Sequence, residues 1–93
     1  MIVEFVEVRL CETGDKGKSY FLRECFINPE EVSLLREDDA TLARLNAGLL
    51  PENLDRRQRF TKIYLNNREV TVVGDPRTVG KKLNIDTRTL LRG

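Results

Sequence analysis

The segment "FTKIYLNNREVTVV", residues 60–73, constrains the fold more than any other part of this sequence. Apolar and polar residues alternate on both sides of two asparagines, and this period of two is typical of strands with one buried face. Asparagine tolerates positive φ better than most residues, so Asn66 and Asn67 predict a two-residue type I′ turn. The predicted cross-strand pairs are Leu65 with Arg68, Ile63 with Val70, and Thr61 with Val72.

This predicted hairpin has two chemically different faces. One face carries the apolar residues Ile63, Leu65, Val70 and Val72. The other carries Lys62, Tyr64, Glu69 and Thr71. The first face is therefore predicted to pack against the rest of the protein.

A second hairpin is predicted near the start of the chain. Apolar and charged residues alternate over residues 6–10, the run "SYFLRECFI" is rich in strand formers, and "ETGDKGKS" between them is a turn. Pairing Glu7 with Arg23 sets opposite charges across the ladder, whereas a shift by one residue sets Glu7 against Glu24. The preferred register places on one face Val6, Val8, Leu10, Tyr20 and Leu22.

The same register separates the two cysteines, Cys11 and Cys25. They lie about six residues apart along the ladder, which at ~3.3 Å per residue is roughly 20 Å. A disulfide cannot span that distance. We therefore expect reduced thiols in an intracellular protein.

The remaining segments predict one more strand and two helical segments. "INPEEVSLLRED" predicts a third strand, although Pro29 allows a helical turn or an edge strand. Residues 38–50 predict a helix that Asp38 or Asp39 caps and Pro51 stops, with an apolar side formed by Leu42, Leu45 and Leu49.

A helix start is also predicted at Asp75, with Pro76 at the first helical position. Val79 and Leu83 give this helix a short apolar stripe, and Asn84 can end it in the left-handed conformation. The predicted architecture is a single α+β domain, residues 1–93, with a small antiparallel sheet of about five strands, a helical insertion and a C-terminal helical segment.

Charge is distributed unevenly along the chain. Residues 1–55 carry 6 Lys and Arg against 12 Asp and Glu, a net −6, and residues 56–93 carry 10 against 3, a net +7, which together give +1. A basic portion of this kind favours contacts with phosphates or with an acidic protein surface. The predicted phosphate contacts are Arg56, Arg57, Arg59, Lys62, Lys81, Lys82, Arg88 and Arg92.

The closing stretch "VGKKLNIDTRTLL" resembles the helix-turn-helix of the Fis family and of related bacterial enhancer-binding activators. Gly80 stands where two helices would cross, and Asn84 stands at the turn. Apolar spacing for a small shared core is formed by Val79, Leu83, Ile85 and Leu90. The resemblance implies a DNA-reading helix that exposes Thr87, Arg88 and Arg92; the alternative is a short helix packed on the sheet and a tail.

A second, longer stretch is similar to small flagellar proteins of the FlbD type. The residues that carry this similarity are "CFINPEEVSLLRE" and "TKIYLNNREVTVVGDPRTVGKKL", within residues 25–83. The resemblance implies a strand ending in Asn-Pro, a further strand, a hairpin and a terminal helix.

Catalysis finds little support in the composition. The chain has no His, and it contains no Gly-rich phosphate loop or nucleophile motif. We therefore expect a non-enzymatic cytoplasmic protein without a cofactor or metal and without a membrane segment. The leading hypothesis is a small regulatory protein that binds DNA or RNA through residues 56–92. The alternative is a module that binds another protein or itself.

Overall fold

The computed structural model describes residues 2–12 and 18–84, which form one five-stranded antiparallel sheet and two short α-helices. The strands are β1 (Val3–Glu12), β2 (Lys18–Ile27), β3 (Val32–Glu37), β4 (Phe60–Leu65) and β5 (Glu69–Val73). The helices are α1 (Asp39–Asn46) and α2 (Pro76–Lys82), and a short 3-10 turn (Pro29–Glu31) precedes β3. The order across the sheet is β2-β1-β5-β4-β3. The predicted sheet of about five antiparallel strands is thus confirmed, and the two short helices are compatible with the predicted α+β class.

The registers of both predicted hairpins are confirmed. In β1 and β2, Glu7 lies opposite Arg23, and the ladder is continuous from one end of the strands to the other. In β4 and β5, Ile63 lies opposite Val70, and the Leu65 amide donates to the Arg68 carbonyl at 2.8 Å. The ladder also separates the cysteines, since Cys11 pairs with Ser19 and Cys25 with Phe5; both thiols are free.

The sheet has a core face, which α2 covers in part, and an opposite outer face. On the core face lie the side chains of the main cluster, namely Val3, Phe5, Ile27, Leu35, Ile63, Leu65 and Val72, with Val79 and Leu83 from α2. Helix α1 lies on the outer face, where Asp38 accepts a 2.8 Å hydrogen bond from the Thr71 hydroxyl. The sheet is therefore covered on both sides at its β3–β4 end.

The alternation in β1 is a poor guide to which of its faces is buried. The residues that face the core are Val3 and Phe5, 8% and 4% exposed, whereas Val6 and Leu10 on the outer face are 41% and 42% exposed. The next two residues of β1 on the same face are charged, namely Glu7 and Arg9. The apolar face of this strand thus changes side along its length, which a simple period of two does not reveal.

The predicted type I′ turn is wrong. In the described part of the chain the only non-glycine residue with positive φ is Asn84, so Asn66 and Asn67 both have negative φ. A left-handed conformation costs any residue with a Cβ atom roughly 1 kcal/mol or more. The hairpin therefore closes on the correct residues with a different turn.

Helix α1 is shorter than the predicted segment 38–50. Gly48 adopts φ +75°, and its amide donates to Leu45 while the Leu49 amide donates to Arg44, both at 3.0 Å. This is a Schellman arrangement, which satisfies the last carbonyls and ends the helix before Pro51 is reached. Leu49 consequently lies outside the helix and is exposed.

The predicted cap positions are confirmed. Asp38 accepts from the Thr41 amide at 2.9 Å and starts α1, and Asp75 accepts from the Thr78 amide at 2.7 Å and starts α2. Pro76 occupies the first turn of α2, and Asn84 follows the helix with φ 59°.

Candidate interaction surfaces

The predicted basic residues that the structure describes are distributed over several surfaces. Arg56 and Arg57 are exposed in the connection between α1 and β4. Lys62 lies on the outer face of β4, where its Nζ is 3.7 Å from Oε1 of Glu69. Lys81 and Lys82 lie at the end of α2, on the other side of the sheet. Lys62 therefore cannot join Lys82 in one flat contact surface.

Carboxylates accompany the arginines near the start of α2. Arg59 Nη1 lies 2.8 Å from Oε1 of Glu37. Arg57 and Arg59 line a shallow groove together with Asp55 and Asp75. The surface around this corner is therefore of mixed sign, and Arg59 is already bound to an anionic partner.

Lys82 has a structural role on the core face. Its Nζ lies 4.9 Å from the centroid of the Phe5 ring, a distance at which a cation is attracted to an aromatic face. Helix α2, which would be the first helix of a helix-turn-helix, packs Val79 and Leu83 onto the sheet and buries Gly80. Arg88 and Arg92, with the rest of the proposed reading helix, lie outside the described residues, so the helix-turn-helix stays a prediction.

Several apolar side chains on the outer face of β1 and β2 are not covered by any of the residues that the structure describes. We call this surface the outer hairpin face; its residues are Val6, Val8, Leu10, Leu22 and Phe26. Phe26 is 61% exposed, and Val8 lies opposite Leu22 in the ladder. Helix α1 reaches only the end of this surface, where the Arg44 guanidinium lies 5.4 Å from the Tyr20 ring centroid. Two exposed carboxylates, Glu4 and Glu24, lie among these apolar side chains. Apolar side chains grouped on one exposed face and bordered by charged ones are typical of an interaction site.

The two edges of the sheet differ in how they are protected. The β3 edge is short, follows Pro29, and has an irregularity between Val32 and Leu34, all features that discourage pairing with another strand. The β2 edge runs from Lys18 to Ile27, and its ladder with β1 has no irregularity. Within residues 2–12 and 18–84, no strand pairs with the outer side of β2. The outward N–H and C=O groups of β2 therefore have no strand partner in the part of the chain that the structure describes.

A groove containing three arginines lies on the core face beyond α2. We call it the arginine groove; it has a volume of about 390 Å³, and its basic residues are Arg9, Arg23 and Arg68. Glu7 lies in its floor, with a side chain only 16% exposed, and Oε2 of Glu7 is 3.9 Å from Nε of Arg9. Burial raises the pKa of the Cys25 thiol, and nearby Glu7 raises it further, while Arg68 lowers it. Cys25 is therefore a neutral part of the lining at pH 7.

The carboxylate of Asp38 is structural. Burial opposes its ionisation, but hydrogen bonds from Thr41 and Thr71 and the nearby Lys62 outweigh burial and hold its pKa below the usual value. A carboxylate that already accepts one hydrogen bond at each oxygen and has a lowered pKa is suited to capping a helix and unsuited to accepting a proton from a substrate.

Comparisons with known proteins give no relative. No family model, no curated protein and no solved structure matches the chain. Among the described residues, no helix is both long and apolar enough to span a bilayer. The surfaces themselves are thus the basis for any functional proposal.

Sequence reasoning missed both the open edge and the arginine groove. Arg9 and Arg23 belong to the acidic half of the sequence, so the charge count directed attention away from them. The predicted register does place Arg23 beside Glu7 and two residues from Phe21, on the same face. Arg68 could be assigned to the same groove only from the strand order of the sheet, which no local sequence pattern reveals.

Proposed function

We propose that this protein is a non-catalytic assembly module that pairs with a second copy of itself through the edge of β2. The observation that carries the proposal is the unprotected edge of β2 beside the apolar outer hairpin face. An open edge binds an extended segment by main-chain hydrogen bonds, and the flanking side chains set the specificity. A second β2 strand supplies such a segment.

Charge and the length of the paired segment together select the register of this pairing. When a two-fold axis relates two antiparallel β2 strands, one residue at the axis lies opposite the same residue of the second copy. An axis at Arg23 or at Glu24 sets like charges across the ladder, which is destabilising. An axis at Phe21 pairs residues 18–24 only. An axis at Leu22 pairs residues 18–26 and opposes no like charges.

The Leu22 register also places complementary side chains side by side. On the outer face, Leu22 contacts Leu22 of the second copy and Tyr20 lies beside its Glu24. On the core face, Phe21, which is 37% exposed in one copy, lies beside Arg23 of the other, an arrangement that allows a cation–π contact. A contact of this size is at the small end of specific interfaces, and we expect dissociation at about micromolar concentrations.

Sedimentation over a wide concentration range tests this proposal. The mass should rise from the 10.7 kDa of one chain to twice that value as concentration increases. Leu22→Lys should leave a monomer at every concentration, because two ammonium groups would meet at the axis. Leu10→Lys is the matched control, since Leu10 lies on the same face but on the inner strand β1, and it should still dimerise.

Two results would contradict self-association through β2. One is a wild-type protein that stays monomeric at millimolar concentration. The other is an equal loss of association in both lysine variants, which would assign the contact to the outer hairpin face as a whole. Far-ultraviolet circular dichroism of each variant establishes that the sheet is intact.

Nucleic-acid binding is a second candidate function. It is favoured by the exposure of Arg56 and Arg57. Among the described residues, neither guanidinium group forms an ion pair, and the Asp55 carboxylate contacts only the backbone amide of Arg57. Anisotropy of labelled duplex and single-stranded DNA and RNA, titrated at several salt concentrations, tests it. A double Arg56→Gln, Arg57→Gln variant should bind more weakly and with a shallower salt dependence, because each phosphate contact contributes about 0.7–0.9 to the slope.

A further inference from the structure

We propose that the arginine groove binds a phosphate group, either free or at the end of a small organic molecule. The groove lies on the part of the core face that α2 leaves open, because α2 packs mainly against β3 and β4. Its three guanidinium groups come from β1, β2 and the turn before β5, so the fold alone brings together Arg9, Arg23 and Arg68.

The groove keeps a positive charge after its carboxylates are considered. Among the residues that line the groove, Glu7 is the carboxylate on the core face, and its Oε2 lies 3.9 Å from Nε of Arg9. Glu24 and Glu69 also line the groove, but alternation along the strands directs their side chains to the outer face. There Glu69 already pairs with Lys62. Two of the three guanidinium groups thus remain for a ligand.

The ligand class follows from the donors. A guanidinium group offers parallel N–H donors that match two oxygens of a phosphate, and it keeps its charge at all physiological pH values. Arg23 on β2 and Arg68, which directly precedes β5, stand on opposite sides of the groove, so they can hold one dianion between them. The volume of about 390 Å³ exceeds that of phosphate alone, which leaves room for an attached organic group.

The test is calorimetric titration of the full chain with sodium phosphate at constant ionic strength, balanced with chloride. Arg23→Gln and Arg68→Gln should each weaken binding about tenfold, the loss expected for one charge-assisted contact. Glu7→Gln should strengthen binding several-fold, because it removes the negative charge from the floor. Arg36→Gln on the outer face of β3 is the control and should leave the affinity unchanged.

Methyl phosphate distinguishes the two sources of the phosphate group. If methyl phosphate binds as tightly as inorganic phosphate, the ligand is a phosphomonoester. If only the inorganic ion binds, the ligand is free phosphate. Repeating the titration in Leu22→Lys separates this site from self-association. No binding at about 10 mM of either probe, or an affinity that Arg23→Gln and Arg68→Gln leave unchanged, would overturn the proposal.

Discussion

Removal of the Asp38 side chain should destabilise the protein more than the loss of an ordinary helix cap. Asp38 accepts one hydrogen bond from the Thr41 amide at 2.9 Å and another from the Thr71 hydroxyl at 2.8 Å. The first begins α1, and the second joins α1 to β5. In Asp38→Ala both donors lose their partner in a site where Asp38 is only 6% exposed.

The magnitude follows from these two contacts. Loss of an N-cap costs about 1 kcal/mol. A buried hydroxyl left without an acceptor costs about 1–3 kcal/mol. Asp38→Ala should therefore lower the free energy of unfolding by about 2–4 kcal/mol, whereas Thr71→Val alone should lower it by about 1 kcal/mol.

Urea unfolding followed by circular dichroism measures both values, and the double variant completes the cycle. The two substitutions should be coupled by about 1 kcal/mol, because the hydrogen bond between them is lost only once. Asp39→Ala is the matched control, since Asp39 is exposed and does not cap the helix. A cost below about 0.5 kcal/mol for Asp38→Ala, or strict additivity with Thr71→Val, would refute this reasoning.

Three further predictions concern pH and backbone conformation. The pKa of Asp75 is lowered mainly by hydrogen bonds from Thr78, and the pKa of Asp38 is lowered as well. The two ionised carboxylates should therefore stabilise the fold above about pH 4, and this stabilisation should be lost as the pH falls through their lowered folded pKa values. The free energy of unfolding of an Asp38→Asn, Asp75→Asn variant should consequently fall less steeply with decreasing pH. Gly48→Ala should cost about 1 kcal/mol, because φ is +75° but the space around a Cβ atom is open. Gly74→Ala should cost more in the same urea assay, because φ is +123° and the new Cβ atom would lie 3.3 Å from Cγ2 of Val79. Equal costs for the two alanine variants would contradict the last prediction.

Local features predicted the hairpins and the helix starts because their causes are local. The pairing of Glu7 with Arg23 follows from charges on adjacent strands, and the start of α2 follows from Asp75 followed by Pro76. The core side of β4 and β5 also follows from alternation, since both strands bury the same apolar face.

The errors have long-range or energetic causes. The side of β1 that faces the core depends on where α2 crosses the sheet, and α2 lies about seventy residues further along the chain. Helix α1 ends near Gly48 because glycine adopts the left-handed conformation at little energetic cost. The helix therefore ends before the chain reaches Pro51. In the turn between β4 and β5, by contrast, Asn66 and Asn67 keep the commoner negative φ, although asparagine tolerates positive φ.

The candidate surfaces required the strand order. A basic C-terminal portion is evident in the charge count, but its members divide between the two faces of the sheet, as Lys62 and Lys82 do. The open β2 edge and the arginine groove exist because β1 and β2 form the outermost hairpin, beside β5 and far from β3. No pattern within either strand indicates that position.

Disulfide trapping at Leu22 tests the proposed assembly most directly. In a Cys11→Ser, Cys25→Ser background, Leu22→Cys should form a cross-linked dimer on mild oxidation, because residues directly opposite in an antiparallel pair have Cα atoms about 4.5–5.5 Å apart, within disulfide range. Arg23→Cys alone should not cross-link, since its two copies would lie about 8 Å apart, but it should cross-link with Phe21→Cys when the two proteins are mixed. Equal cross-linking at Leu22 and Arg23, or none at either, would contradict pairing of two β2 strands about Leu22.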